Sequence, residues 1–433
     1  MKNDSNIQNN IQNDCNIQND LRVAEELFSL IKRDSIFLTD AIKDNASLVV
    51  QKGKMYAEVN DFTEMGLAEE LIGILYGLAF NKPSLVQSRL TPTIINGGNI
   101  AVQSPSGTGK TIAYLLGVIS KVQKGMGPQA VIISPTRELN TQIAQVLEKF
   151  TGPLGLSYHL ALRGSMSEVI REEIVLGSPG SIIGLCSRDK LDTANIRLVV
   201  FDEADLLLDR ERMGAQSFRI LKLFQRSKKV FISATYNDEL KNTLKTYCDE
   251  LTEMYEARNS KPDEIHLYYI ESDYRHKIEA VKALINSLTI GQCIIFVSSK
   301  KTAKNLEQIL EEDFNTVAIL HGDLTSQERD GVVERFKTGE SKFLVTTDVF
   351  SRGMDIPMVN LIINFDLPYH DKVLLLDTYI HRIGRSGRFG RTGFVVDLIN
   401  KYELEDYLKI QQALETISKK FTIEALEKIH LKD

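Results

Sequence analysis

The sequence predicts an α/β protein of two consecutive domains, each a parallel sheet covered by helices on both faces. Short, β-branched runs ("NIAVQ", "AVIISP", "SIIGLC", "LVVFDE", "KVFISAT") alternate with helix-spaced stretches such as "TRELNTQIAQVLEKF". Strands alternating with helices imply parallel pairing, and continuous apolar runs imply burial on both faces. The pattern stops at the polar, proline-containing "EARNSKPDEI" and restarts with "CIIFVSS", "VAILHGD", "KFLVTTD", "LIINFD" and "GFVVDLI". The boundaries follow: a first domain over 60–255, a linker over 256–264 and a second domain over 265–433.

Upstream lie an Asn-rich tail, 1–20, and a helical extension, 21–59. The tail cannot bury enough apolar surface to offset its ordering entropy and is expected to be disordered. In "DLRVAEELFSLIKR", Leu21, Ala24, Leu27, Phe28 and Ile31 share one helical face, with Asp20 placed to cap it.

Bulk properties exclude several classes. The 433 residues are 43% hydrophobic and 25% charged, an ordinary globular balance. No run of about 18 apolar residues predicts a membrane span, and the polar N-terminus does not resemble a signal peptide. The four cysteines (Cys15, Cys186, Cys248, Cys293) form no C-x-x-C pair, which argues against a zinc site or a disulfide framework and for a reducing compartment. With a net charge of −6, nucleic-acid contact would have to come from a local basic stripe.

"SPSGTGKT", Ser104 to Thr111, follows a strand and opens a helix. Glycines at 107 and 109 let backbone N–H groups curl around a phosphate, and the helix start adds its positive dipole. Ser106, Gly107, Thr108 and Gly109 form this cradle, Lys110 reaches the β and γ phosphates, and Thr111 ligates Mg²⁺. The common pattern has glycine at the position of Ser104. "VVFDEADLLLD" puts Asp202, Glu203 and Asp205 where a buried strand ends. Unpaired buried carboxylates are costly, so Asp202 is expected to meet the Mg²⁺ of a bound nucleotide through water, and Glu203 to orient and deprotonate the attacking water.

"GTGKT", "PTREL", "DEAD" and "SAT", with "IIFV", "HGD", "TTDVFSRGMD" and "HRIGRSGR" after them, resemble the motifs of the DEAD-box RNA helicases in order and spacing over about residues 60–400. The resemblance implies two tandem RecA-like domains with ATP and RNA bound across the cleft between them. It implies adenine recognition by "FNKPSLVQ", with Lys82 in that segment, Gln87 taking the base's two hydrogen bonds and Phe62 beside it. Arg382 and Arg385, three apart, would share a helical face and stabilise γ-phosphate charge from the second domain. Gly353 and Asp355 would meet the ribose. Asp205, Ser233, Thr235 and His381 would couple hydrolysis to strand separation. RNA-backbone contacts would come from Pro135, Thr136, Arg137, Gly164, His321, Gly322, Arg329 and Thr346, largely without base preference. Where the family has T-P-G-R, the chain is read as "LCSR", 185–188, leaving Arg188 as a phosphate contact; the paired glycines become Arg163-Gly164, and Ser386 replaces a commoner threonine.

"LALRGS", "KKTAKNLE", "ILHGDLTSQERD", "TTDVFSRGMDIPMVNLIINFDLP" and "YHDKVLLLD" resemble the mRNA-export branch of that family, which acts at the cytoplasmic face of the nuclear pore. That likeness implies a cytoplasmic nucleoporin and an inositol-hexakisphosphate-dependent activator as partners, a location in nucleus and cytoplasm, and an N-terminal helix that wedges between the domains. A translation-initiation helicase and a slowly hydrolysing RNA clamp are the alternatives, because all three share every catalytic residue.

Overall fold

The computed structural model describes residues 18–27, 29–30, 48–52, 59–104, 107–162, 168–210, 213–236, 238–248, 250–256, 265–287, 292–312, 317–348, 359–386 and 392–430. They fall into two compact units. A helix, α1 (18–27), groups with everything from residue 265 onward, while residues 48–256 form the other unit.

The first domain runs β1 (Leu48–Lys52), α2 (Glu69–Gly77), α3 (Leu85–Asn96), β2 (Asn99–Gln103), α4 (Lys110–Lys121), β3 (Ala130–Ile133), α5 (Arg137–Leu154), β4 (Tyr158–Ala161), β5 (Ile174–Gly177), α6 (Pro179–Ser187), β6 (Leu198–Asp202), α7 (Ala204–Leu207), α8 (Gly214–Leu223), β7 (Lys228–Ser233), α9 (Asp238–Tyr247) and β8 (Leu251–Glu256). Its sheet order is β1-β8-β2-β7-β6-β3-β5-β4, parallel throughout except for the antiparallel β1–β8 edge. Alternation along each strand splits the core. Ile100, Val102, Ile132, Val200 and Ile232 pack with α2 to α5, and Ala101, Val131, Ile133, Val199, Phe201 and Phe231 pack with α6 to α9. Two-sided burial is why these strands read as unbroken apolar runs.

The second domain runs β9 (Ile265–Glu271), α10 (Tyr274–Ser287), β10 (Gln292–Phe296), α11 (Lys300–Glu311), β11 (Val317–Leu320), α12 (Ser326–Lys337), β12 (Phe343–Thr346), β13 (Val359–Asn364), β14 (Tyr369–His370), β15 (Val373–Leu374), α13 (Leu376–Ile383), β16 (Gly393–Ile399), α14 (Leu404–Ala413), β17 (Lys419–Lys420) and α15 (Ile423–His430). Its parallel sheet has the order β11-β12-β10-β13-β16-β9-β17. "YHDKVL" makes the β14–β15 hairpin. Its two loop residues, Asp371 and Lys372, both have positive φ (45° and 67°), the backbone that matches the twist of a two-residue hairpin.

Two expectations about the N-terminus change here. The first concerns residues 48–52: read as part of a helical extension outside the first domain, they form strand β1 at the edge of that domain's sheet. Residues 18–20, read as part of a structureless tail, are helical, so Asp20 lies inside the first turn of α1 and does not cap it. Residues 1–17 and Ile31 lie outside the described residues, as does the side chain of Phe28. Val23, Ala24 and Leu27 of α1 are buried in one cluster with Tyr268, Ile270, Phe421, Ala425 and Leu426 of the second domain. Lys419 pairs with Glu26 at 2.5 Å, but an exposed pair contributes little, and the buried leucine and alanine hold the helix. Leu27→Ala is expected to lower the unfolding free energy of the second-domain unit by about 2–4 kcal/mol. Urea unfolding of the full chain, followed by a probe in that unit, measures it; an unshifted midpoint would mean that α1 is not docked in solution.

Candidate functional site

The parallel register sets the frame. Gln103 at the end of β2 lies opposite Ser233 at the end of β7, and Asp202 at the end of β6 lies opposite Ile232. The loops carrying "GTGKT", "DEAD" and "SAT" therefore leave one edge of the sheet side by side, where open α/β sheets bind ligands. Ser104 N–H donates to the Ser233 carbonyl (3.1 Å), and the Gln103 amide donates to the Ala234 carbonyl (3.4 Å), tying the first loop to the third.

In the phosphate loop, Gly107 and Gly109 have φ of 84° and 94°. A Cβ on Gly109 would lie 2.7 Å from Gln87 Nε2 and 3.1 Å from Ser84 Oγ, so this position takes glycine for both backbone and space. Ser84 donates to the Thr108 carbonyl (2.8 Å), and the Ser104 and Thr108 hydroxyls are 2.7 Å apart. Serine in place of the usual glycine at 104 is thus part of the loop's own bonding. Lys110 donates to the Ser104 carbonyl, and Thr111 is the second residue of α4. Ser106 lies outside the described residues.

The adenine-motif residues separate. Gln87 is buried and closes a capping box: its Oε1 accepts from Ser84 N–H (3.0 Å), while its Nε2 lies 3.5 Å from the Gly109 carbonyl. An amide has two lone pairs and two hydrogens, so one of each remains for a base. Phe62 corrects its expectation. It is fully enclosed in the core, edge-on to Tyr76 with centroids 6.1 Å apart, and exposes no ring face for a base to contact. Lys82 is exposed on the loop before α3.

Asp202 is only 7% exposed. Burial, then the charge of Glu203, raises its pKa to about 7, opposed by the hydrogen bond from Tyr114 and the charge of Lys110. Tyr114 Oη donates to Asp202 Oδ2 at 2.9 Å from the floor of α4. Sequence reasoning passed over Tyr114, which reads as one more apolar residue of "TIAYLLGVI". Its signal is its place four residues after the phosphate-binding lysine, one turn deeper on the same helix. Glu203 adopts left-handed backbone (φ 55°), a conformation a non-glycine residue enters at a cost and that re-aims the chain into α7. Asp205 accepts from the Thr235 hydroxyl at 2.7 Å, and Thr235 N–H donates to Ser233 Oγ at 3.2 Å, so the second and third motifs are joined within the first domain.

Of the expected RNA contacts in this domain, Pro135 is buried, Thr136 caps α5 by accepting from Leu139 N–H (3.2 Å), and Arg137 opens the helix. Gly164 lies outside the described residues. Arg188 is corrected. It ends α6, whereas the strand-to-helix junction after β5 is Ser178-Pro179-Gly180-Ser181. T-P-G-R therefore corresponds to S-P-G-S, and Arg188 sits at the opposite end of a helix about 13 Å long.

In the second domain, His321 is buried and its Nδ1 accepts from Asp323 N–H (3.2 Å); burial, then Lys304, lowers its pKa. Arg329 donates to the Gly322 carbonyl (2.7 Å), and Lys300 pairs with Asp323 (2.5 Å). Thr346 is fully enclosed and its hydroxyl bonds the Leu320 carbonyl (2.9 Å), latching the ends of β11 and β12, so it offers no hydroxyl to a strand of RNA. Gly353 and Asp355 lie outside the described residues.

The two arginines do not share a helical face. α13 ends at Ile383, and Arg385 stands in the turn beyond Gly384, its N–H bonded to the Arg382 carbonyl (3.1 Å) and its Nε to the His381 carbonyl (3.1 Å). Arg382 is wholly buried: Nε bonds Asp348 (2.7 Å), Nη1 bonds the Asp366 carbonyl (2.7 Å) and Asn364 (3.3 Å), and the guanidinium lies 5.0 Å from the Phe296 ring centre. These partners belong to its own domain, and they leave Nη2 buried without a hydrogen-bond partner among the described residues. His381 is likewise buried.

Residues 84–243 match the DEAD/DEAH box helicase family and residues 276–390 match the helicase conserved C-terminal domain. The chain belongs to the DEAD-box ATP-dependent RNA helicases, enzymes that hydrolyse ATP on RNA. Within that family it is similar to proteins named ATP-dependent RNA helicase DBP5: 37% identical to that of Kluyveromyces lactis, over 79% of this chain and 75% of the relative, and 35% identical to that of Saccharomyces cerevisiae, over 78% and 72%. The solved structure of S. cerevisiae Dbp5 bound to RNA and ADP BeF3 is 33% identical, with a TM-score of 0.82 over 86% of this chain and 98% of that one. A variant of the same protein bound to Nup159, Gle1, IP6 and ADP gives a TM-score of 0.60 at 32% identity, over 85% and 100%. Among the described residues no helix is long and apolar enough to cross a membrane.

The raised pKa of Asp202 has a consequence for stability without nucleotide. Because the folded pKa exceeds the unfolded 3.8, the proton stabilises the fold below that value, and the benefit is lost as pH rises through about 7. In EDTA and without nucleotide, Asp202→Asn is expected to melt higher than the wild type at pH 8, with a narrower gap at pH 5 that closes only below about pH 4. Thermal unfolding at the two pH values tests this, and equal melting temperatures at pH 8 would contradict it.

Proposed function

We propose that this helicase remodels RNA–protein particles in mRNA export, acting at the cytoplasmic face of the nuclear pore. Support comes from its likeness over most of the chain to proteins named DBP5, and from the solved S. cerevisiae Dbp5 with RNA and with Nup159, Gle1 and IP6. By the same reading its partners are single-stranded RNA, a cytoplasmic nucleoporin and an inositol-hexakisphosphate-dependent activator, and it works in both nucleus and cytoplasm.

The observation that carries the chemistry is the set of motifs at one sheet edge, with a buried carboxylate whose burial and acidic neighbour leave it short of positive charge. A hard divalent cation fits that need. Thr111 and Asp202 would hold Mg²⁺, which supplies charge neutralisation on the phosphate oxygens. The loop from Ser106 to Gly109, Lys110 and the start of α4 bind the phosphates. Glu203, aimed by its left-handed backbone, orients the attacking water and takes its proton. Gln87 keeps an acceptor and a donor for adenine, and Arg385, outside the helix, is the arginine suited to meet developing phosphate charge. RNA is held through backbone contacts near α5, the S-P-G-S junction and the His321–Arg329 segment. Loss of the γ-phosphate then releases it.

ATPase rate with and without single-stranded RNA, for wild type and Glu203→Gln, tests the chemistry. RNA is expected to raise the wild-type rate several-fold, and the variant to lose at least about a hundredfold in kcat while still binding ATP. An equal wild-type rate without RNA would end the RNA-coupling reading. Absence of binding to a cytoplasmic nucleoporin domain would end the export reading and leave the enzyme.

A further inference from the structure

A buried carboxylate in the second domain has no place in the chemistry above. Asp397, in β16, is fully enclosed and lies opposite Asn364, the last residue of β13, on the adjacent strand. Among the described residues three donors reach it: Tyr379 of α13 (2.7 Å), Tyr407 of α14 (2.8 Å) and the Asn364 amide (2.7 Å). Tyr379, Tyr407 and Asn364 are all fully enclosed too.

A carboxylate only accepts hydrogen bonds, so its presence fixes the sense of every bond around it. The Tyr407 hydroxyl gives its one proton to Asp397 and therefore accepts from Ser418 Oγ, 2.8 Å away. Asn364 must turn its NH₂ toward Asp397, which leaves its carbonyl oxygen facing Arg382 Nη1 at 3.3 Å. Arg382 in turn grips Asp348 and the Asp366 carbonyl, and its own carbonyl receives the N–H of Arg385. Desolvation raises the pKa of Asp397 to about 6, held there by the three donors and by Arg382, so it is ionised under ordinary assay conditions.

We propose that Asp397 is a positioning residue for ATP hydrolysis: through the amide of Asn364 it presents an acceptor to Arg382, and so sets the turn that carries Arg385. This rests on the reading that Arg385 meets the phosphates. A neutral amide at 397 would face one of three donors with its own NH₂. Relief comes from turning Asn364 over, which puts NH₂ against the guanidinium.

The test uses the full chain and RNA-stimulated turnover, with melting temperature alongside. Asp397→Asn is expected to lower kcat about tenfold to a hundredfold, with KM for ATP within about twofold, as misplacement of a catalytic group does. Asn364→Asp should be similarly impaired. The double variant, Asp397→Asn with Asn364→Asp, moves the carboxylate beside Arg382, and the amide introduced at 397 gives its NH₂ to that carboxylate while its oxygen still accepts from the tyrosines. It is expected to recover kcat to within about threefold of wild type, which a packing role would not produce. Tyr407→Phe keeps the ring and removes one donor; a kcat fall of about threefold is expected, and it decides the matter should Asp397→Asn fail to fold. Wild-type kcat in Asp397→Asn, no recovery in a folded double variant, or no effect of Tyr407→Phe where it must decide would overturn the proposal. Arg385→Ala separates the premise: if it turns over normally the reading of Arg385 falls and the proposal with it, whereas if it is inactive while Asp397→Asn is normal, only the positioning role is lost.

Discussion

The nearly level ends of β2, β7 and β6 determine what the first domain can do. Parallel pairing brings the strand ends Gln103, Ser233 and Asp202 within one residue of the same level, and only then can three loops far apart in sequence share a pocket edge. The same pairing demands that both sheet faces be covered, which the helices do with alternate strand residues. Any slip of one residue would exchange the two faces and bury Asp202's neighbours the wrong way round. The chemistry is thus a by-product of sheet register, and the apolar core enforces that register.

The two domains treat buried charge in opposite ways. In the first, Asp202 is enclosed beside another carboxylate with the Tyr114 hydroxyl beneath it, an arrangement that costs the domain stability. In the second, Arg382 and Asp397 are enclosed with several partners each, which offset much of the cost of burial although Arg382 Nη2 has none among the described residues.

Much of this was legible from sequence, for identifiable reasons. Parallel strands buried on both faces announce themselves as apolar runs, although "SIIGLC" lies in α6 and the strand there is Ile174–Gly177, and "SPSGTGKT" carries its mechanism in its glycines. What failed was whatever depended on a third dimension. "LCSR" was chosen by its arginine, while the position that matters is the one directly after β5, where the chain has S-P-G-S. Spacing put Arg382 and Arg385 on one face, but Gly384 ends α13 between them. Phe62 sits at the right distance from Gln87 in sequence and inside the core in space. Tyr114 and Asp397 are single letters in otherwise apolar segments, and only their hydrogen bonds single them out.

The docking of α1 bears on how the chain is made. Glu26 and Lys419 are 393 residues apart in sequence, so the helix synthesised among the first segments closes against the last strand of the sheet. A chain growing from its N-terminus must carry Val23, Ala24 and Leu27 without their full cover until residues 421–426 have left the ribosome, while the first domain can complete its sheet long before. Closure of so long a loop adds little to the entropy cost of folding but places this contact at the end of the sequence of events. A nascent chain interrupted before Phe421, Ala425 and Leu426 therefore lacks a large part of the apolar surface that covers α1.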